Sequence, residues 1–163
     1  MSRQTANQPP EIQSLAEAPY EPLKLEHQLC FTMYACSREI TRIYQPLLKA
    51  LDLTYTQYLT MLVLWERDGL SVKELGARLY LDSGTLTPLL KKLETAGLLT
   101  RERDRADERS VLIRLTDKGT LLREQGACVP QQVFKQSSLA PEKLIQLYQL
   151  SRELLEDLDR QDG

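Results

Sequence analysis

Three cysteines are the side chains of this 163-residue chain that are best suited to chemistry: Cys30, Cys36 and Cys128. They form no CxxC pair, and His27 is the single histidine, so the spacing predicts neither a zinc site nor a framework of disulfides. A lone cysteine can still react with an oxidant as a thiolate, once neighbouring donors lower its pKa below the free value of about 8.5. We therefore expect chemistry at a single thiol, with no cofactor and no metal.

The pattern of apolar residues from Leu23 to Leu51 predicts the helix that positions two of these cysteines. Its apolar seam alternates spacings of four and three, as in helices that pack against another helix, and consists of Leu29, Met33, Cys36, Ile40, Ile43, Leu47 and Ala50. Cys36 lies on this seam, and we interpret it as a packing residue. Cys30 lies beside the seam and is the candidate for redox chemistry, although a cysteine on an apolar helix is more often buried filling.

Two tyrosines of the same helix are candidate donors to the Cys30 sulfur. Tyr34 follows Cys30 by four residues, which places both on one helical face. Tyr44 follows it by fourteen residues, or about 21 Å along the helix axis, and so cannot contact Cys30 of its own chain. Tyr44 can serve this thiol only from an antiparallel helix of a second copy. The alternative interpretation is that both rings are ordinary packing residues.

A second set of polar side chains lies in the stretch from residue 79 to residue 115. Its pattern predicts a helix and then two strands, residues 98–103 and 110–115, joined by a charged tip. The helix contains Ser83, Thr85, Thr87 and Lys91, and the tip contains Arg103, Asp104, Arg105, Asp107, Glu108 and Arg109. Hydroxyls and amines on a helix beside an arginine-bearing hairpin are typical of proteins that read double-stranded DNA with a helix in one groove and a wing next to it.

The charge balance supports DNA binding only weakly. The net charge is −2, and the segment from Lys73 to Lys118 contains ten basic and eight acidic residues. The spacing of Asp107 and Arg109 is more informative, because a carboxylate two residues away on a hairpin tip can orient a guanidinium. The alternative is that these charges form a solvated turn, as most runs of charge do.

Local signals predict where the helices begin. The predicted N-terminal caps are Thr54 with Gln57, Ser71 with Glu74, Asp82 or Ser83, Thr116, and the Ala140-Pro141-Glu142 sequence. Pro88 allows two interpretations, because it lies either inside the helix that Asp82 opens or at the first position of a shorter helix capped by Thr87. Pro130 predicts a break in the helix that follows Thr116.

Three helices followed by a hairpin predict a winged helix–turn–helix, mainly α with a small β wing. We expect residues 1–22 to form a disordered tail, residues 54–116 to bind DNA, and residues 23–51 and 117–160 to form dimerisation helices. A domain this small has little core to cover the apolar seams, which favours a two-fold homodimer with reading helices about 34 Å apart, or a multiple of it. No apolar run suits a membrane span or a signal peptide, which indicates a cytoplasmic protein.

Four segments carry a resemblance to a known family. They are LKLEHQLCFTMYACSREI at Leu23–Ile40, LTYTQYLTMLVLWE at Leu53–Glu66, LYLDSGTLTPLLKKLE at Leu79–Glu94 and DERSVLIRLTDKG at Asp107–Gly119. The wing segment resembles the MarR family in general, and the other three resemble its organic hydroperoxide sensors of the OhrR type. The resemblance covers roughly residues 23–133, and it makes residues 23–163 a MarR-like winged helix domain.

The resemblance implies a role for each matching residue. Cys30 falls on the peroxide-sensing cysteine, and Tyr34 and Tyr44 on tyrosines that hydrogen-bond this thiolate from the partner subunit. In the wing, Arg109 falls on the arginine that enters the minor groove and Asp107 on the acid that steadies it. The groove-reading helix contributes Ser83, Thr85, Thr87 and Lys91. The implied function is a repressor that leaves its operator when an organic hydroperoxide oxidises the sensing cysteine, and not an enzyme.

Two points stay open at this stage. Some family members resolve the oxidised cysteine with a second cysteine of the partner subunit, late in the fifth helix, and others couple it to small thiols. Cys128 lies earlier than that position and Lys135 lies nearer to it, so both routes remain for this chain. The alternative functions are a repressor of the same fold that responds to a bound phenolic ligand and a thiol peroxidase enzyme.

Overall fold

The computed structural model describes residues 23–104, 107, 109–134 and 138–161. The predicted disordered tail, residues 1–22, lies outside the described residues, as do Arg105 and Glu108 of the wing tip and Lys135. Within the described part the helices are α1 (Leu29–Lys49), α2 (Tyr55–Glu66), α3 (Val72–Leu79), α4 (Ser83–Thr95), α5 (Asp117–Gly126), α6 (Val129–Phe134) and α7 (Pro141–Gln161). The strands are β1 (Leu70–Ser71), β2 (Leu99–Arg103) and β3 (Val111–Leu115).

The first helix is shorter than the predicted span of residues 23–51. A separate 3-10 turn, Leu25–His27, precedes it, and the backbone of Gln28 is extended with φ −88° and ψ 110°. At the other end the helix stops at Lys49, and Asp52 adopts a left-handed conformation with φ 54°. The early break changes the setting of Cys30, which becomes the second residue of α1 rather than a residue of a helix interior.

The predicted caps explain why the other helices begin where they do. Thr54 and Gln57 form a reciprocal capping box, and so do Ser71 and Glu74. Asp82 rather than Ser83 caps α4, and the Thr116 side chain caps α5. Predicted breaks are also observed, because α5 ends at residue 126 and α6 begins at residue 129, next to Pro130.

Pro88 lies inside α4, so the shorter helix capped by Thr87 is not formed. The Thr87 hydroxyl instead donates a 2.7 Å hydrogen bond to the carbonyl of Ser83, one turn earlier. Proline removes a backbone donor from a helix interior, but Asp82 and the packing of the apolar face keep the first turn helical.

The sheet is antiparallel, with strand order β1-β3-β2. Strands β2 and β3 form the wing hairpin, in register from Leu99 opposite Leu115 to Arg103 opposite Val111. The two-residue strand β1, which was not predicted, pairs with β3 and places Leu70 opposite Ile113. The base of the wing is therefore joined to the start of α3, and the architecture is the predicted winged helix–turn–helix.

One hydrophobic core holds the recognition elements together. It lies between α2, α3, α4 and the sheet, and its fully buried members include Met61, Leu64, Leu75, Leu86, Leu90, Leu93, Leu99 and Ile113. Burying one such side chain stabilises a fold by roughly 1.5–3 kcal/mol. Because Leu86, Leu90 and Leu93 turn one face of α4 inward, its opposite polar face is presented to solvent.

The two ends of the described chain have a different character. From Leu29 to Ile40 the large apolar side chains of α1 are exposed, with Leu29 64% exposed and Ile40 45% exposed. Exposed apolar residues also line α7, at Ile145, Leu147, Tyr148, Leu150, Leu154 and Leu158. Monomeric proteins seldom expose apolar surface on this scale. Among the described helices, none combines the length and apolar character that a membrane crossing requires.

Candidate functional site

The outer face of α4 presents the hydroxyl and amine groups predicted to read DNA. Ser83, Thr85, Thr87 and Lys91 are all exposed on this helix. Asp82 fixes its first turn twice, because its carboxylate accepts 2.9 Å hydrogen bonds from both the backbone N–H and the hydroxyl of Thr85. These bonds, the backbone bond first, hold the pKa of Asp82 below its usual value. The start of the reading helix is thereby held in one geometry.

The wing tip is organised by its backbone. Asp104 N–H donates to the carbonyl of Ser110 at 2.9 Å, and Ser110 N–H donates to the carbonyl of Asp107 at 2.8 Å. The Asp107 carboxylate accepts a 3.1 Å hydrogen bond from the backbone N–H of Arg109. Asp107 was expected to orient the guanidinium of Arg109; its contact in the described part of the wing is with the backbone of that residue. The guanidinium is left exposed at the tip.

A cleft of about 500 Å³ joins the reading helix to the wing. It is lined by Val72, Lys73, Gly76, Ala77, Leu81, Ser83, Asp107, Arg109, Ser110 and Val111. Ser83 of α4 and Arg109 of the wing, which are far apart in sequence, thus face the same space. Lys73 is an additional cation of this cleft that the sequence pattern did not single out; its position in the first turn after the Ser71 cap was the available signal.

Ion pairs reduce the number of unpaired cations near this face. Arg101 pairs with Glu94 at 2.8 Å, and Arg114 approaches Glu102 at 3.7 Å. The ammonium of Lys118 donates to the carbonyl of Ala96 at 2.7 Å. By contrast, the side chains that the cleft and α4 offer to an anion, Lys73, Lys91 and Arg109, have no carboxylate within salt-bridge distance in the described part of the chain. Lys73, Lys91 and Arg109 are therefore available to meet phosphate on this face.

Cys30 is exposed in the first turn of α1. Tyr34 lies one turn later, and its hydroxyl accepts a 2.9 Å hydrogen bond from Nη1 of Arg38. That bond is the main reason why the pKa of Arg38 is raised. A negative charge is favoured at the N-terminal turn of a helix, where backbone N–H groups lack helical partners. Cys30 therefore lies at the end of α1 where free backbone N–H groups face solvent.

The other two cysteines are also exposed within one chain. Cys36 is not buried by its own chain, so its predicted packing role would require a partner that covers the α1 seam. The Cys128 thiol lies just beyond the end of α5, with its sulfur 3.9 Å from the carbonyl oxygen of Glu124. Among the described residues, no group of three or more His, Cys, Asp or Glu side chains could hold a metal ion.

Tyr44 belongs to an aromatic cluster, away from Cys30 of its own chain. Its ring centroid lies 4.9 Å from that of Tyr55 and 6.1 Å from that of Tyr58. Tyr58 in turn meets Trp65 edge-on at 6.2 Å. Burial, and to a lesser extent the neighbouring Tyr55, raises the pKa of Tyr44. A single chain therefore brings Cys30 and Tyr34 together on one face but leaves Tyr44 four turns away, as the spacing predicted.

Comparison with known proteins identifies the family. A family of transcriptional regulators described as SarA/Rot matches residues 42–125. The organic hydroperoxide resistance transcriptional regulator of Bacillus subtilis (strain 168) is 50% identical over 146 residues, which cover 90% of this chain and 99% of that protein. The chain belongs to the MarR/SarA family of transcriptional regulators and is of the OhrR type. This confirms the resemblance that the quoted segments suggested.

Solved structures of another MarR-type regulator match both the fold and the sequence. Reduced AbfR bound to DNA superposes with a TM-score of 0.74 at 34% identity, over 88% of this chain and 98% of that one. Disulfide-formed AbfR superposes with a TM-score of 0.57 at 35% identity, over 86% of this chain and 93% of that one. AbfR is a protein of Staphylococcus epidermidis. The winged helix–turn–helix assignment is therefore confirmed.

Proposed function

We propose that this OhrR-type regulator is a repressor whose reduced homodimer binds a double-stranded DNA operator and leaves it when an organic hydroperoxide oxidises Cys30. The observation that carries the proposal is the presence, in one chain, of an exposed thiol in the first turn of α1 and an exposed polar face on a capped reading helix. The likeness to the Bacillus subtilis organic hydroperoxide resistance regulator supports the nature of the signal.

DNA would be bound on the face formed by α4 and the wing. Ser83, Thr85, Thr87 and Lys91 face outward from α4 and would enter the major groove. Arg109 at the wing tip would reach the adjacent minor groove, with Asp107 holding its backbone. The cleft between these elements, which Lys73 and Arg109 line, would receive the phosphate backbone that separates the two grooves.

A homodimer would bring the reaction centre together. The exposed apolar side chains of α1 and α7 offer a surface for a second copy, which supports the two-fold arrangement. Antiparallel packing of the two α1 helices would bring Tyr44 of the partner subunit toward Cys30, since the two residues are about 21 Å apart along one helix. Each Cys30 thiolate would then accept hydrogen bonds from tyrosine hydroxyls, which favours the charged form of the sulfur.

The chemistry at Cys30 would take place in two steps. The thiolate sulfur attacks the terminal oxygen of the peroxide, which bears the hydrogen; the O–O bond breaks, and the alkoxide takes up a proton and leaves as an alcohol. The sulfur is oxidised to a sulfenic acid and has lost the negative charge that attracted the tyrosine hydroxyls. A second thiol then attacks the sulfenic sulfur, which forms a disulfide and releases water. The second thiol is either Cys128 of the partner subunit or a small cellular thiol.

The decisive experiment follows operator binding by fluorescence anisotropy during titration with tert-butyl hydroperoxide, with a duplex selected from random sequences. Cys30→Ser is expected to bind the duplex and ignore the peroxide, whereas Cys36→Ser is expected to respond like the wild type. Release of Cys30→Ser at wild-type peroxide doses would overturn the proposal. A phenol such as salicylate that releases Cys30→Ser would support the ligand-responsive alternative instead.

Counting the peroxide consumed separates a sensor from an enzyme. A sensor consumes about one peroxide per Cys30 in each oxidation, because the oxidised state persists until a thiol reduces it. A thiol peroxidase would consume many equivalents in the presence of dithiothreitol while DNA binding stayed unrelated to oxidation. We expect about one equivalent without reductant, and sustained rapid turnover with reductant would contradict the assignment as a regulator.

A further inference from the structure

We propose that α5 carries the redox signal from Tyr44 to the end of the reading helix, and that Tyr58 and Trp65 are the positioning residues that grip α5 at its two ends. The inference rests on the proposed function, since it assumes that a change around Tyr44 follows oxidation of Cys30. It adds a route through the fold and two residues to which neither the family resemblance nor the comparisons assign a part.

At its C-terminal end α5 is held by two aromatic side chains of α2. The Tyr58 hydroxyl donates a 3.1 Å hydrogen bond to the carbonyl of Gly126, the last residue of α5. The Trp65 ring lies directly against the same glycine, because a Cβ placed there would fall 2.6 Å from two of its ring carbons. Only a residue without a side chain allows this approach, so the end of α5 follows any movement of these rings.

At its N-terminal end α5 is held against the junction between the reading helix and the wing. The indole N–H of Trp65 donates a 2.8 Å hydrogen bond to the carbonyl of Gly119. A Cβ at Gly119 would fall 2.0 Å from the carbonyl oxygen of Leu98, which shows how closely this turn packs on the start of the wing. The Thr116 hydroxyl also donates to the carbonyl of Gly97 at 2.7 Å.

Lys118, in the first turn of α5 after the Thr116 cap, completes the contact between α5 and the junction of α4 with the wing. The Lys118 ammonium donates to the carbonyl of Ala96, the residue that follows α4, at 2.7 Å. Residues 96–98 lie between the last turn of α4 and the first residue of β2. Helix α5 is about 15 Å long. Because it contacts both ends of this route, a displacement of α5 would change the angle of the reading helix and the wing relative to the rest of the protein.

The sensor side of this route is the contact between Tyr44 and Tyr58. Their ring centroids are 6.1 Å apart, and Tyr58 is 1% exposed. Close-packed interiors do not absorb the displacement of one ring without moving its neighbours. If Tyr44 changes position when the thiolate charge of the partner subunit is lost, its ring contact displaces Tyr58, and the hydrogen bond of Tyr58 transmits the change to Gly126.

The simpler interpretation is that these rings only fill the core. Removing one hydroxyl distinguishes this packing role from the proposed transmitting role. Tyr58→Phe keeps the ring and removes the bond to Gly126. Tyr55→Phe is the matched control, because Tyr55 also contacts Tyr44 but its hydroxyl makes no hydrogen bond within the described part of the chain. Both variants lose one phenol oxygen beside the same tyrosine, and only Tyr58→Phe loses the connection to α5.

The experiment compares operator dissociation constants of the full chain before and after oxidation by tert-butyl hydroperoxide, with Cys30 oxidation verified by intact mass. We expect oxidation to weaken wild-type and Tyr55→Phe binding by the same factor, and that factor to fall at least fivefold in Tyr58→Phe although Cys30 is oxidised equally. Trp65→Phe, which cannot donate to Gly119, should show the same loss. Trp65 is the single tryptophan, so its emission should change on oxidation in wild type and stay constant in Tyr58→Phe.

The outcomes separate this inference from the function on which it rests. If oxidised wild type releases DNA and both Tyr58→Phe and Trp65→Phe release it equally well, the coupling through α5 is wrong and the proposed function stands. If oxidised wild type keeps its full affinity for the operator, the proposed function fails and the inference fails with it. If Tyr58→Phe has a lower melting temperature but an unchanged response to oxidation, the aromatic cluster around Tyr58 has only a structural role.

Discussion

The hydroxyl of Tyr34 accepts a hydrogen bond of 2.9 Å from Nη1 of Arg38, one turn further along α1. The guanidinium carbon also lies 5.7 Å from the centre of the same ring. Because Arg38 occupies a lone pair of the phenol oxygen, the phenol proton remains available to another acceptor. A donor that itself accepts a hydrogen bond from a cation becomes a stronger donor. If Tyr34 donates to the thiolate in the proposed reaction centre, Arg38 is placed to strengthen that bond.

Replacing Arg38 should slow the oxidation of Cys30. We expect Arg38→Leu to lower the second-order rate constant for reaction with tert-butyl hydroperoxide by roughly 2- to 10-fold, the effect of weakening one hydrogen bond to a charged group. The rate can be followed by quenched thiol alkylation and mass spectrometry. Arg42→Leu is the control, because Arg42 lies one turn further along the same helix and its guanidinium pairs with Glu39 rather than with Tyr34. Equal oxidation rates in both variants would show that Arg38 does not influence the reaction of Cys30.

The wing arginine should contribute directly to operator affinity. Arg109→Ala is expected to weaken binding by about 1–3 kcal/mol, the usual value of a groove contact. Its log–log salt slope should also become shallower by about one unit, because one fewer counterion is released. Arg152→Ala, in an ion pair with Glu156 on α7, provides a control far from the reading face in sequence. If Arg109→Ala binds the operator as tightly as this control, the wing charges form a solvated turn that does not contact DNA.

Lys73 offers a second test of the DNA-binding face, since it lies at the cleft between the reading helix and the wing. Lys73→Gln should reduce affinity by a similar factor for operator and unrelated duplexes, because a phosphate contact carries no sequence information. Competition titrations with the two duplexes measure this directly. A loss confined to the operator would instead place Lys73 in contact with bases.

The oxidised end state can be read from a non-reducing gel. If Cys128 of the partner subunit resolves the sulfenic acid, peroxide without added thiol should yield a covalent dimer that disappears in Cys128→Ser. If small thiols do so, the wild type should stay monomeric on the gel and gain the mass of cysteine when that amino acid is supplied. The exposed position of Cys128 beyond α5 permits either result.

The Asp82 cap should make the stability of the DNA-binding part depend on pH at the acid end. Its hydrogen bonds to Thr85 lower the pKa of the carboxyl below 3.8 in the folded protein. A group whose folded pKa is lowered stabilises the fold above its unfolded pKa, and this contribution disappears as pH falls through the folded value. Asp82→Asn retains a good cap and has no charge to titrate. Urea denaturation below pH 4 should therefore show a shallower loss of stability in Asp82→Asn than in the wild type.

The parts of the fold that the sequence predicted are those encoded by neighbouring residues. A capping box is a pattern of four residues, so Thr54 with Gln57 and Ser71 with Glu74 were found from the sequence alone. The wing followed from alternating strands within a short segment. The resemblance to OhrR-type regulators had the same source, since it was carried by short, specific stretches around Cys30 and along α4.

The parts that the sequence did not predict depend on distant residues. Strand β1 has two residues and exists because Leu70 pairs with Ile113. The hydrogen bonds from Tyr58 and Trp65 to α5 join residues 68 and 54 positions apart, and no local pattern marks them. The start of α1 was placed too early although the apolar seam begins only at Leu29, because a seam alone does not show where a helix begins.

The four helical turns between Cys30 and Tyr44 have a consequence for stoichiometry in the proposed dimer. Each reaction centre would take its thiol from one chain and its distal phenol from the other. A mixed dimer of one Cys30→Ser subunit and one Tyr44→Phe subunit would then contain one fully intact centre and one that lacks both groups. Two subunits that are each defective alone would regain one rapidly reacting thiol per pair, so complementation between alleles becomes a measure of how the chains share their chemistry.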